Sequence, residues 1–355
     1  MSVAVCEPVS DLPFDFGDLV THLSQAKIEI DPDHLPERCS GGLANLNYRI
    51  SVEGRPAILR RAPSGPLPKG AHDMKREHRV LSRLTDAFSL APRCYYLCED
   101  PKVIGAPFQV IEFREGRVFR GDALDQLNSG EDLSQSLTSL LAGVMAELHA
   151  VDLSTCGLAD LGRHQGFMQR NAGRWAGAAE TISDGTNYAS LAKEAADLVR
   201  SAFETWQDGD VTLLHCDLKL DNLILADSEI KPVALLDWDM ATTGDPMFDL
   251  ATLLSYWSEP GDPAAMLRLR QMPTARQGFP SRSDMVAAYE RQTGRSLCGL
   301  DAARALCQLK LGVVFLQLYA RWKESSVGDE RYASFESLGI ELIEFARDVA
   351  LGKRA

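Results

Sequence analysis

No stretch of this sequence is apolar for long enough to cross a bilayer. The longest candidate, LGVVFLQLYA at 311–320, follows Lys310 directly and falls well short of the ~20 residues a spanning helix needs. A basic surplus is also missing. The net charge is −13, which disfavours partners built on phosphate backbones or anionic lipid, so neither a nucleic acid nor a membrane is expected. The amino terminus carries acids and no basic segment before an apolar run, so no signal peptide is expected. No CxxC pair occurs among the eight cysteines (6, 39, 94, 98, 156, 216, 298 and 307), and Cys94 and Cys98 lack a second pair for zinc. The expectation is reduced thiols in a cytoplasmic protein that needs no covalent staples. A GxxxxGK[ST] loop is missing, which excludes a P-loop enzyme. No GxSxG or Cys–His signature points to acyl transfer, and no internal repeat is found.

What remains is globular in composition: 45% hydrophobic and 25% charged over 355 residues, a length that suggests two domains. Residues 16–26 read as a helix. NYRISV alternates, EGR turns and PAILRR continues as a strand. A Pro/Gly loop at 62–71 leads into a helix at 72–88, with Met74, Val80, Leu81 and Leu84 on roughly one face. RCYYLCED and PFQVIEFREG read as two further strands. From about 117 the character turns helical, as in 134–153, where Leu137, Leu140, Leu141, Val144, Met145 and Leu148 recur at helical spacing. The expected class is α+β. A small antiparallel-sheet lobe with one long helix spans 1–115, and a larger, mostly helical lobe spans 116–355, with a hinge near 112–120.

The segment LLHCDLKLDNLILADSEIKPVALLDWD, 213–239, sets a polar loop between two strands. Phosphoryl transfer needs a carboxylate for the acceptor hydroxyl, oxygen ligands for Mg²⁺, and a cation for the phosphates. His215-x-Asp217-x4-Asn222 supplies a carboxylate and an amide oxygen. Asp237, at the end of the next strand, supplies a second carboxylate. Mg²⁺ takes few protein oxygens and completes its shell with phosphate and water.

HCDLKLDN followed by LLDWD and GDPMFDLA resembles the aminoglycoside/choline-kinase-like phosphotransferases, relatives of the protein kinases, over about residues 35–350. The resemblance implies a bilobal protein-kinase-like fold, ATP and Mg²⁺ as cofactors, and a small-molecule hydroxyl acceptor. It implies Asp217 as the catalytic carboxylate, Asn222 and Asp237 as metal ligands, Lys219 near the γ-phosphate, and His215 as a loop anchor. Asp249 would cap its helix or brace the loop. SGGLANLNY, with Gly42 and Asn45, would cover the nucleotide, and main-chain groups of Glu112 and Phe113 would meet the base. The family's phosphate-binding Lys has no counterpart here. PAILRRA offers Arg60 or Arg61, and strand alternation puts Arg60 on the face of Ile58, pointing inward. Glu77 on the following helix would pair with it.

The short interval from Asp237 to the helix at DPMFDLATLL leaves no room for a protein-kinase activation segment, so the acceptor is expected to be small. Basic residues slightly outnumber acidic ones over 251–355, which leans away from a polycation. QRNAGRW, GFPSRSDMVAAYERQTGR and QLYARW resemble the kinase domains fused to acyl-CoA dehydrogenases, which act on hydroxyacyl groups. That resemblance makes Arg170, Arg174, Trp175, Arg321 and Trp322 acceptor candidates. The expected activity is ATP- and Mg-dependent transfer to a hydroxy acid or hydroxyacyl-CoA. The alternatives are an aminoglycoside or amino-alcohol kinase, and an inactive kinase-fold binding module.

Overall fold

The computed structural model describes residues 6–9, 12–39, 45–62, 73–119, 131–269, 271–272, 274–276, 278–324 and 330–354. By internal contacts the chain divides into two compact units. The first comprises Met1–Phe119, Val151–Leu161 and Asp221–Ala241, and the second comprises Arg120–Ala150, Gly162–Leu220 and Thr242–Ala355.

In the first unit, strands β1 (Cys6–Pro8), β2 (Glu37–Cys39), β3 (Leu46–Val52), β4 (Arg55–Arg61), β5 (Cys94–Cys98) and β6 (Phe108–Glu112) form one antiparallel sheet in the order β1-β2-β3-β4-β6-β5. Helix α1 (Phe16–Gln25) is capped by Asp15, whose side chain accepts the Asp18 N–H. Its Leu19 and Leu23 are buried with Tyr48, Ile50, Ala57, Leu59, Phe108 and Val110 from alternate positions of the sheet. Helix α2 (Met74–Leu84) is capped by Asp73 and buries Met74, Glu77, Val80, Leu81 and Leu84. That stripe is apolar at helical spacing except at Glu77. A carboxylate on a buried stripe needs a partner, and the sheet supplies one. A smaller sheet, β7 (Arg117–Val118), β9 (Leu223–Leu225) and β10 (Pro232–Leu235), completes this unit in the order β10-β9-β7.

One expectation is corrected. Cys6 and Cys39 form a disulfide. They face each other across the β1–β2 ladder, and their sequence separation of 33 hides the pairing from any search for local cysteine spacing. The other six cysteines are free.

The second unit is helical: α3 (Glu131–His149), α4 (Phe167–Ser183), α5 (Ala189–Ala202), α6 (Met247–Tyr256), α7 (Ala264–Arg268), α8 (Arg282–Thr293), α9 (Leu300–Glu324) and α10 (Phe335–Ala350), with a hairpin of β8 (Thr212–Leu214) and β11 (Thr242–Gly244). Its core draws on α4, α5, α6, α7, α9 and α10. Helices α9 and α10 approach closely where two glycines meet. A β-carbon on Gly312 would lie 2.9 Å from the Gly339 carbonyl oxygen, and one on Gly339 would lie 2.7 Å from Leu316. No described helix is long and apolar enough to cross a membrane.

Candidate functional site

Each unit gathers part of the sequence-predicted set. In the first unit the focus is Arg60 on β4. Cross-strand alternation sends Ala57, Leu59 and Arg61 to one face of the sheet and Ile58 and Arg60 to the other. Arg60 Nε donates to Glu77 Oε2 at 2.9 Å, and its terminal nitrogen donates to Asp237 Oδ1 at 2.5 Å. The Arg60 side chain is 10% exposed and that of Glu77 is 2% exposed. Burial works against the Arg60 charge, but Glu77, Asp237 and Asp239 together outweigh it and raise its pKa. Burial pushes the Glu77 carboxyl up, against the pull of Arg60, the Trp238 backbone N–H and the Gln109 amide. Arg61 does something else. It is buried, with Nε on the Ile104 carbonyl at 3.0 Å and a terminal nitrogen on the Ala62 carbonyl at 3.1 Å.

Asp237 follows β10 in the left-handed region, φ 72°, which a non-glycine residue adopts only when its surroundings hold it there. Trp238 is the anchor on one side. It is 1% exposed, donates Nε1 to the Leu235 carbonyl at 2.8 Å, and stacks edge-on against Phe88. Asn222 ends a short 3₁₀ turn, Leu220–Asn222, and its carbonyl accepts the Leu236 N–H at 2.8 Å. That bond sets the Asn222 and Asp237 backbones side by side.

The remaining nucleotide-side candidates are spread more widely. Asn45 is buried just before β3. Gly42 lies outside the described residues. Glu112 ends β6; its N–H donates to the Arg93 carbonyl at 2.8 Å, and its carboxylate takes the Arg93 N–H and Arg114. The Phe113 ring lies under the Arg49 guanidinium.

The second unit holds Asp217. Its Oδ2 accepts from Lys219 Nζ and its Oδ1 from the Tyr256 hydroxyl at 3.3 Å. The Lys219 ammonium also lies 5.0 Å from the centre of the Tyr256 ring. The residue before Asp217 is strained: Cys216 has φ 66°. Its N–H and that of His215 donate to the two oxygens of Asp249, each at 2.7 Å, and its carbonyl accepts from Lys310 Nζ at 3.1 Å. Asp249 is fully buried and also meets His149 Nε2 at 3.3 Å, while His149 Nδ1 meets the Tyr289 hydroxyl at 2.7 Å. Burial pushes the Asp249 carboxyl up, but its hydrogen bonds and the two histidines outweigh that and hold it below the usual range. Asp249 therefore braces the loop rather than capping its helix. The Asp217 N–H closes back onto His215 Nδ1 at 3.3 Å.

The acceptor candidates do not converge as a group. Trp175 is a core residue of α4, and Arg174 is an exposed neighbour stacked on its ring. Arg170 donates to the Arg163 carbonyl. Arg321 is exposed near the end of α9, and Trp322 lies beside Tyr319. Four residues that the sequence reading passed over stand closer to the predicted chemistry: Gln109, His149, Tyr256 and Lys310. For Gln109 and Lys310 the signal was available, as polar residues set among the apolar positions of FQVIE and LCQLKLGVVF. Nothing local marks Tyr256.

A family model described as the phosphotransferase enzyme family matches residues 37–283. The chain is 30% identical over 327 residues to acyl-CoA dehydrogenase family member 11 of Gallus gallus, covering 89% of this chain and 40% of that protein. It therefore spans well under half the length of that relative. Among solved structures, one from Ralstonia eutropha assigned to the aminoglycoside phosphotransferases superposes with a TM-score of 0.76 at 22% identity, covering 96% of this chain and 99% of that one. The GDP complex of aminoglycoside 2'-phosphotransferase IIIa gives 0.62 at 18% identity, covering 95% and 98%. These likenesses establish a kinase-like α+β fold.

Proposed function

The chain belongs to the phosphotransferase enzyme family, and on that premise we propose that it moves the γ-phosphoryl group of Mg·ATP to the hydroxyl of a hydroxy acid or hydroxyacyl-CoA. The observation that carries the reading is the buried Arg60, held between Glu77 and Asp237. A guanidinium kept charged at that depth, next to a strained carboxylate, suits a site for phosphate oxygens.

In this reading Arg60 steadies the non-reacting phosphates and Glu77 fixes its direction. Asp237 and Asn222 would hold Mg²⁺. They fit it: one carboxylate and one amide, hard oxygen donors on adjacent backbone segments, are as many protein ligands as the ion usually takes beside phosphate. When bound, Mg²⁺ would supply positive charge against the negative charge that builds on the phosphates. Asp217 orients the acceptor hydroxyl and takes its proton, and Lys219 meets the transferred phosphoryl group. Tyr256 keeps the Asp217 carboxylate turned toward the acceptor. The acceptor class rests on the likeness to a protein named for the acyl-CoA dehydrogenase family, and Arg170, Arg174, Trp175 and Arg321 are its proposed contacts. The proposed location is the cytoplasm, where Mg·ATP is supplied.

The test is ADP release in Mg·ATP and, separately, Mg·GTP across hydroxy acids, hydroxyacyl-CoAs, amino alcohols and aminoglycosides, with Asp217→Asn as control. Turnover with a hydroxyacyl acceptor that vanishes in the control supports the reading. Turnover only with amines replaces the acceptor class. Silence everywhere, with no Mg·ATP binding, refutes the activity.

A further inference from the structure

Arg60 and Gln109 are direct cross-strand partners in the β4–β6 ladder, so their side chains leave the sheet on the same face. Gln109 is fully buried. Its Nε2 donates to Glu77 Oε2 at 2.6 Å, the same oxygen that accepts from Arg60 Nε at 2.9 Å. Its Oε1 faces the Cys94 thiol at 3.4 Å, and Cys94 Sγ lies 3.2 Å from His78 Nδ1. The amide has one orientation here. A carboxylate only accepts, so the NH₂ group must face Glu77 and the carbonyl must face the thiol. Burial pushes the Cys94 thiol up to about 12, so it stays protonated and keeps a hydrogen to donate.

Glu77 comes from helix α2, whereas Arg60 and Gln109 come from the sheet. The ion pair alone would let the helix carboxylate swing about the guanidinium. A second, uncharged donor from the neighbouring strand removes that freedom. An Arg needs this more than a Lys does. A guanidinium must present two nitrogens in one plane, here to Glu77 and Asp237, while an ammonium is a point charge. We propose that Gln109 is a positioning residue for nucleotide phosphates: it locks Glu77 so that the Arg60 fork is aimed before the nucleotide arrives. The inference rests on the role proposed above for Arg60.

The experiment is calorimetric titration of the full chain with Mg·ATP and with adenosine, comparing the parent with Gln109→Met, Arg60→Ala and the double variant. Gln109→Met should bind Mg·ATP about tenfold more weakly, as expected for loss of one charge-assisted bond. Adenosine affinity should not change, because it carries no phosphates. The double variant should be no weaker than Arg60→Ala, because Gln109 acts only through Arg60. Equal weakening for adenosine, or additive losses, overturns the inference in favour of a general packing role. Unchanged Mg·ATP affinity in Gln109→Met, with Arg60→Ala impaired, overturns the inference and leaves the Arg60 reading standing. An Arg60→Ala variant that binds Mg·ATP normally overturns both. Gln109→Asn keeps the amide but withdraws it by one methylene. It replaces Gln109→Met if that variant does not fold, and it must show the same split between ATP and adenosine.

Discussion

Replacing Asp249 by Asn should cost the helical unit about 3–5 kcal/mol. The carboxylate is fully buried and accepts two backbone N–H groups at 2.7 Å, with His149 at 3.3 Å. Hydrogen bonds to a charged group are worth ~1.5–3 kcal/mol each. Asn keeps one acceptor and turns its NH₂ toward the other N–H, so one bond is lost and two donors collide without water. Some cost returns because the loop no longer holds Cys216 at φ 66°, a strain of about 1–3 kcal/mol. For a unit of roughly two hundred residues, each kcal/mol moves the melting temperature by about 2–4 °C, so the drop should be near 10 °C. The pH dependence has a definite sign. The folded pKa of Asp249 lies below its unfolded value, so its contribution is fully present above about pH 4 and is lost as pH falls through the folded value. The gap between parent and variant should therefore be constant from pH 8 to 5 and close only in stronger acid. Scanning calorimetry at several pH values reads both quantities. A variant that melts within 2 °C of the parent at pH 7, or a gap that closes near neutrality, would refute the brace.

Arg60→Lys should weaken Mg·ATP binding by about tenfold, because an ammonium offers one nitrogen where the guanidinium uses two, one on Glu77 and one on Asp237; equal affinities would remove the fork from the argument. Arg61→Ala should leave nucleotide affinity intact but lower stability by ~2–4 kcal/mol in denaturant melts, since it strands two buried carbonyls. Alkylation of the unfolded, unreduced chain should modify six thiols, and all eight after reduction; eight at once would show that Cys6 and Cys39 are not joined. In the native chain at pH 8, exposed Cys298 should react first and Cys94, pushed up to about 12, far more slowly.

Much of the local framework was legible in the sequence because it rests on period and punctuation. Helix α2 announces itself by Met74, Val80, Leu81 and Leu84, and its cap by Asp73. The parity of Ile58 and Arg60 separates two adjacent arginines whose environments prove opposite. What stayed hidden depends on partners distant in sequence. Cys6 meets Cys39 only through strand register. Tyr256 reaches Asp217 across 39 residues, and Gln109 reaches Glu77 across 32. Segments 151–161 and 221–241 join the first unit, although a linear reading carries the chain straight through them. The acceptor contacts depend on distant partners in the same way. The pattern Arg170-x3-Arg174-Trp175 on a helix says nothing about which face is buried, and Trp175 is a core residue.

Both halves of the proposed chemistry meet the same backbone problem and solve it the same way. Cys216 and Asp237 are held at φ 66° and φ 72° without the glycine that would relieve them. In each case a helix delivers a buried carboxylate to an adjacent backbone N–H: Asp249 of α6 to His215 and Cys216, and Glu77 of α2 to Trp238. A side-chain clamp can hold a turn that a non-glycine residue resists, and it ties the turn to a helix at the same time. The two clamps differ in electrostatics. Asp249 collects enough hydrogen bonds to overcome its burial, and its pKa falls. Glu77 does not, and its pKa rises despite Arg60. The Glu77 contribution to stability is thus fully present below its unfolded pKa and is lost as pH rises through its folded one, opposite in sign to that of Asp249. The Arg60 pKa is raised by the same pair, so the two carboxylates differ in what balances them: backbone and histidine hydrogen bonds at Asp249, and chiefly a guanidinium at Glu77.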